Sequence, residues 1–188
     1  GASGFGGGLG AGGGSALGFA AEGAPGVASS LGLEGFAPEA FSSFAAEGGS
    51  GGVFARALRD AGGTFPQLCS IDVNPEHPPQ SSISLVREQL GIAWRVVLGD
   101  SLAVSLDLLP AKIDMLYIDG DHGGAHVMGD YERFSPLVRP GGLVVFDDFP
   151  LATGVVAVVE ALRSRGVTGV ALTYNQQDGN SHYVVRMT

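Results

Sequence analysis

The sequence predicts an α/β fold: a parallel sheet covered by helices on both faces and closed by an antiparallel hairpin. Three observations carry this. From Val53 onward, short apolar runs alternate with stretches of helical spacing, the pattern of strand–helix–strand units. Four successive runs end on acid, at Asp72, Asp100, Asp119 and Asp147-Asp148. Residues 169–188 hold two strand-like runs around Asp178-Gly179-Asn180, a hairpin signature.

Taken in order, "VFARALRDAGG" has helical spacing and a Gly stop. "QLCSIDV" is a strand ending at Asp72, followed by the turn "NPEHPP". "SSISLVREQLG" is a Ser-capped helix closed by Gly91. "WRVVLGD", "IDMLYIDGD" and "GGLVVFDDF" are strands. Between the last two, "HVMGDYERFSPLV" is helical and stops before Arg139-Pro140-Gly141-Gly142. "GVVAVVEALRSRG" is a further helix. In such a sheet, ligands sit beyond the carboxyl ends of the strands. A solvated turn explains one acidic strand end, but four at the same edge favour a site.

Residues 1–52 differ in kind. They hold over half of the 32 Gly and no Lys or Arg. "GFGGGLGAGGG" has too few large side chains to offset the entropy of ordering it. Residues 1–30 therefore read as a flexible or loosely packed arm and residues 31–188 as the folded domain. "FAAEG" occurs at 19–23 and again at 44–48, too little for a repeat architecture.

A formal net charge of -9, with no basic run longer than a pair, argues against a nucleic-acid surface. The single Cys69, in the apolar run "QLCSI", reads as a buried small residue and fits a reducing, cytoplasmic setting. No apolar stretch is long enough to span a bilayer. The N-terminus lacks the basic start of a secretory signal and, without Arg, does not resemble a transit peptide.

"YIDGDH" and "LVRPGGLVVFDDF", in this order and with a terminal hairpin, resemble the class I S-adenosylmethionine-dependent methyltransferases. The likeness is to their small-molecule O-methyltransferases and covers about residues 45–188. It implies a Rossmann-like, doubly wound, mostly parallel seven-stranded sheet with a C-terminal antiparallel hairpin. It also implies S-adenosylmethionine as cofactor and a small-molecule substrate.

Residue by residue, "EGGSGG" matches the family's acid-x-Gly-x-Gly turn through Glu47, Gly49 and Gly51. Asp72 is then the acceptor for the ribose hydroxyls, and Asp100 and Ser101 lie beside the adenine. Phe54 stands where a nicotinamide-type fingerprint has its third Gly, which counts against a dinucleotide. The chain departs from the family before the Gly turn. There "APEAFSSFAAEGG" reads either as a helix or as a weak strand "SFAAE".

For the acidic strand ends two readings stand. In metal-dependent relatives such as catechol O-methyltransferase, the matching positions hold a divalent cation; here they are Asp119, Asp147 and Asp148, which could take Mg2+ or another divalent cation. Alternatively, Asp147 and Asp148 cap the following segment and Asp119 meets backbone N–H groups. His122 follows the strand end and is the candidate general base, its alternative being a hydrogen bond to a neighbouring carboxylate. His126, on the ensuing helix, reads as solvated or packed, and His77 and His182 as structural or exposed. A non-catalytic relative serving binding or assembly, and a dinucleotide-dependent oxidoreductase, stay open as other functions. A homo-oligomer stays open too.

Overall fold

The computed structural model describes residues 16–21, 54–56, 58–60, 67–173 and 181–188, with residues 16–21 known as backbone only. Among the described residues seven strands form one sheet: β1 (Ala16–Ala21), β2 (Gln67–Asp72), β3 (Ala93–Leu98), β4 (Ile113–Asp119), β5 (Val138–Phe149), β6 (Gly169–Thr173) and β7 (Ser181–Arg186). Their order across the sheet is β3-β2-β1-β4-β5-β7-β6. Helix α1 (Gln80–Leu85) runs on into a wider turn over Val86–Leu90 that ends on left-handed Gly91. Helices α2 (Gly124–Phe134) and α3 (Thr153–Ser164) follow β4 and β5. Residues 54–56 and 58–60 are helical.

The expected strand and helix order is present, but the sheet is mixed rather than mostly parallel in its pairing. β2 pairs parallel with β3, and β4 with β5. β1 runs antiparallel to both β2 and β4, and β7 runs antiparallel to β5 and β6. The β7 reversal is the hairpin. The β1 reversal was not legible, because a short apolar run fixes which face is buried and leaves direction to its connections.

β1 lies inside the stretch expected as an arm and ends with the first copy of "FAA". Residues 43–47, the expected weak strand, lie outside the described residues. α2 starts two residues before its expected run, and its last turn tightens to 3₁₀ over Ser135–Leu137, where Pro136 has no N–H to offer.

β4 is buried on both faces, as its unbroken apolar run requires. Leu116 and Ile118 join Val127 and Phe134 of α2 and Val155, Val158, Val159 and Leu162 of α3 in the main core. Met115 and Tyr117, on the opposite face, pack with Val145, Phe54 and Val184. Leu68, Ile92 and Trp94 close a third cluster with Val86 and Leu90.

Cys69 is buried in the main core as expected, its thiol pushed up to about 11 by desolvation. Asp114, the first acid of the "DMLYIDGDHGGAH" stretch, pairs with Arg139 and ties the starts of β4 and β5 together, away from the carboxyl edge. Gly142 is needed beside it. A Cβ at that position would come within 2.7 Å of the Asp114 carbonyl oxygen.

Candidate active site

The parallel pairing of β4 with β5 sets Ile118 beside Phe146, so Asp119 and Asp147 leave the sheet side by side. Asp148 follows with φ 53°, in the left-handed region that costs a residue with a Cβ roughly 1–2 kcal/mol. Such strain at a strand end persists only where the surroundings impose it.

The loop after β4 brings His122 back over these carboxylates. His122 Nε2 lies 3.3 Å from Asp148 Oδ2 and 4.0 Å from Asp119 Oδ1. Asp119, His122 and Asp148 each offer an atom within 4.8 Å of the others, a spacing that fits a metal ion. Asp147 turns elsewhere. Its Oδ1 lies 3.0 Å from His182 Nε2 on β7, an ion-pair distance off the axis of a formed hydrogen bond.

Electrostatics separate the two neighbouring carboxyls. Burial first, then the charges of Asp147 and Asp148, push the Asp119 carboxyl up to about 8. Burial would raise Asp147 as well. Polar contacts from His182 and Tyr117, the Asp148 backbone and the His182 charge outweigh it, and Asp147 falls below the usual carboxylate range. Asp119 is thus the more readily protonated of the two carboxyls. A divalent ion would replace a proton there, since it neutralises the carboxylates whose repulsion raises Asp119. The two carboxylates suit a hard cation, and the imidazole widens the choice to first-row transition-metal ions.

The second half of the edge is built by β2 and β3. Asp72, 1% exposed, accepts from the Asn74 N–H at 2.8 Å and pairs with His77 Nδ1 at 2.7 Å. The carboxylate expected at a ribose is therefore capped by its own turn, with a His77 side chain that is itself exposed. Asp100 accepts from the Leu102 N–H and opens a tight turn. Ser101 is buried, and its hydroxyl lies 3.3 Å from His126 Nε2. His126 also faces Asp100 at 3.5 Å and Asp121 at 3.9 Å, joining the β3 turn to α2. Leu98, Leu102 and Val73 leave apolar surface exposed around this turn. Glu47, Gly49 and Gly51 lie outside the described residues.

The structure thus brings His122, Asp119, Asp147 and Asp148 into one cluster and Asp100 and Ser101 into another. Among the described residues, Asp72 joins neither and is held by Asn74 and His77. Three residues carry more than their sequence reading. His77 caps Asp72, His126 binds the Ser101 turn, and His182 faces Asp147. For His182 a signal existed: period-two alternation along β7 puts it on the face of Val184, which packs with Tyr117. Asp130 had none. It is fully buried on α2 and has no hydrogen-bond partner in good geometry among the described residues. Desolvation raises its carboxyl, and the Ser101 hydroxyl is the strongest opposing influence.

With this geometry in view, comparison with known proteins gives the class. A family described as "Methyltransferase domain" matches residues 45–149, more than half of the chain. The chain belongs to that family. A 44-residue segment is 48% identical to uncharacterized protein R132 of Acanthamoeba polyphaga mimivirus. It covers 23% of this chain and 20% of that one, so the match spans a fifth of the curated relative's length.

Among solved structures, a Klebsiella pneumoniae protein provisionally described as an O-methyltransferase superposes with TM-score 0.53 at 16% identity. The overlap is 89% of this chain and 91% of that one. An O-methyltransferase family protein from Burkholderia thailandensis gives TM-score 0.52 at 12% identity, over 76% of this chain and 49% of the other. At these identities the likeness is one of fold. No helix among the described residues is long and apolar enough to cross a membrane.

Proposed function

We propose that this chain transfers a methyl group from S-adenosylmethionine to an oxygen of a small molecule, with a divalent cation at the β4–β5 edge. The supporting observation is the cluster of Asp119, His122 and Asp148 at the carboxyl ends of two parallel strands, linked to the Asp100-Ser101 turn through Asp121 and His126. S-adenosylmethionine supplies an electrophilic methyl on sulfur, and a hard cation lowers the pKa of a bound hydroxyl and orients it.

The chain's own residues do the rest. Asp119, Asp148 and His122 would hold the cation, with Asp147 behind Asp119. Asp100 and Ser101, with the exposed Leu98 and Leu102, would receive the adenine. Asp72 would take the ribose hydroxyls once His77 swings off it. Alignment of the acceptor oxygen with the methyl would supply much of the acceleration.

One contact favours a second reading of His122. At 3.3 Å from Asp148 Oδ2, it has the carboxylate partner that orients a general base, and as a base it would take the acceptor's proton directly. Exhaustive chelation separates the two. Loss of activity on chelation, restored by Mg2+, supports the cation; activity that survives leaves His122 as base. A non-catalytic relative would bind S-adenosylhomocysteine and turn over nothing. An oxidoreductase would be stabilised by NAD.

A further inference from the structure

His182 lies on β7, beyond residue 149 where the family match ends. Two features single it out. The first is backbone. Phe146 pairs with Tyr183 and Phe149 with Ser181, so between these pairs two residues of β5, Asp147 and Asp148, oppose His182 alone. That is a β-bulge, a device that re-aims side chains and that gathers beside active sites. The left-handed Asp148 sits inside it. The second feature is contact. His182 Nε2 is 3.0 Å from Asp147 Oδ1 and 3.3 Å from Tyr117 Oη. Its ring meets the Tyr117 ring edge-on at 5.6 Å, and Tyr117 is braced by Phe54 at 4.7 Å.

We infer that His182 is a positioning residue that pins Asp147 within the bulge, so that Asp148 turns to His122 and the pair with Asp119 forms a cation cage. Without a bulge, neighbouring residues of β5 would point to opposite faces of the sheet, and the two aspartates could not serve one site. The extra residue brings both to the β4 end, and something must then hold the more buried of the two. Asp147 is 14% exposed and has His182 and Tyr117 around it. Tyr117 stands two residues before Asp119 on β4 and meets the imidazole from across β5. Partners behind metal ligands matter in this way generally, and their loss costs about 10–100-fold in metal affinity.

This inference rests on the cation reading of the site, and the test keeps the two apart. Mn2+ binding is measured by electron paramagnetic resonance in wild type, Asp148→Ala, His182→Ala, His182→Gln and Tyr117→Phe, each checked for S-adenosylhomocysteine binding by calorimetry. His182→Ala is expected to weaken Mn2+ binding at least tenfold while S-adenosylhomocysteine affinity stays within twofold. His182→Gln, which keeps an N–H donor, should recover most of the loss, and Tyr117→Phe should fall between. Equal Mn2+ binding by wild type and His182→Ala, with Asp148→Ala deficient, overturns the positioning role alone. A wild type that binds no Mn2+ overturns the cation site on which it rests.

Discussion

Asp119 is where the electrostatics of the site are most exposed to measurement. Its carboxyl is raised to about 8 by burial and by Asp147 and Asp148, against an unfolded value near 4. A raised carboxyl favours the folded state while it is protonated. Its contribution is fully present below about pH 4 and is lost as pH rises through 8. Metal-free wild type should therefore lose stability between pH 5 and 8.5, by at most about 1.4 kcal/mol per pH unit from this group. Asp119→Asn should lose less across that window in denaturant titrations. Saturating Mg2+ should raise the wild-type midpoint more at pH 8 than at pH 6, because binding must displace the proton. Equal pH slopes for the two proteins would remove Asp119 from this role.

Asp148 offers a second test at this scale. Its φ of 53° suits glycine, so Asp148→Gly should be as stable as wild type or better by up to about 1 kcal/mol while losing cation binding. A clear fall in melting temperature would show that the His122 contact outweighs the strain.

At the scale of elements, the site depends on how tightly α3 seats against the loop that carries His122. A Cβ on Gly154, in the first turn of α3, would lie 2.0 Å from the His122 carbonyl oxygen and 2.6 Å from the Gly124 nitrogen. Backbone cannot yield as a flexible side chain would. Gly154→Ala should cost roughly 1–3 kcal/mol as an overpacked contact and displace His122 from Asp148. Thermal unfolding and Mn2+ binding would both register it, and a variant unchanged in both would show the loop to be pliant.

This dependence was hidden in the sequence, where "ATGVV" reads only as a helix start. The apolar runs and their acid ends were legible because burial writes itself as periodicity and because strand ends repeat one pattern. The pairing of Asp72 with His77, Asp147 with His182 and Ser101 with His126 was not, because each joins residues through a turn or across elements. Sequence showed where the carboxylates gather, and tertiary packing decided which of them face one another.

At the scale of the whole molecule, the centre of the sheet is the part that sequence predicted least well. β1 takes the slot between β2 and β4 from a segment whose Gly content suggested an arm. Deleting residues 1–30 removes that strand, and the deletion protein should lose cooperative unfolding in a calorimetric scan. A deletion protein that melts cooperatively at the wild-type temperature would show that another segment fills the slot. The second "FAA" at 44–46 is the natural candidate.

If the proposed function holds, the acidic carboxyl edge serves S-adenosylmethionine chemistry. Isothermal titration with S-adenosylhomocysteine and with NAD, using wild type and Asp100→Ala, tests it most directly. Saturable binding of S-adenosylhomocysteine, weakened at least several-fold by Asp100→Ala, with no heat from NAD, is the result predicted. Saturable NAD binding with none for S-adenosylhomocysteine would contradict it.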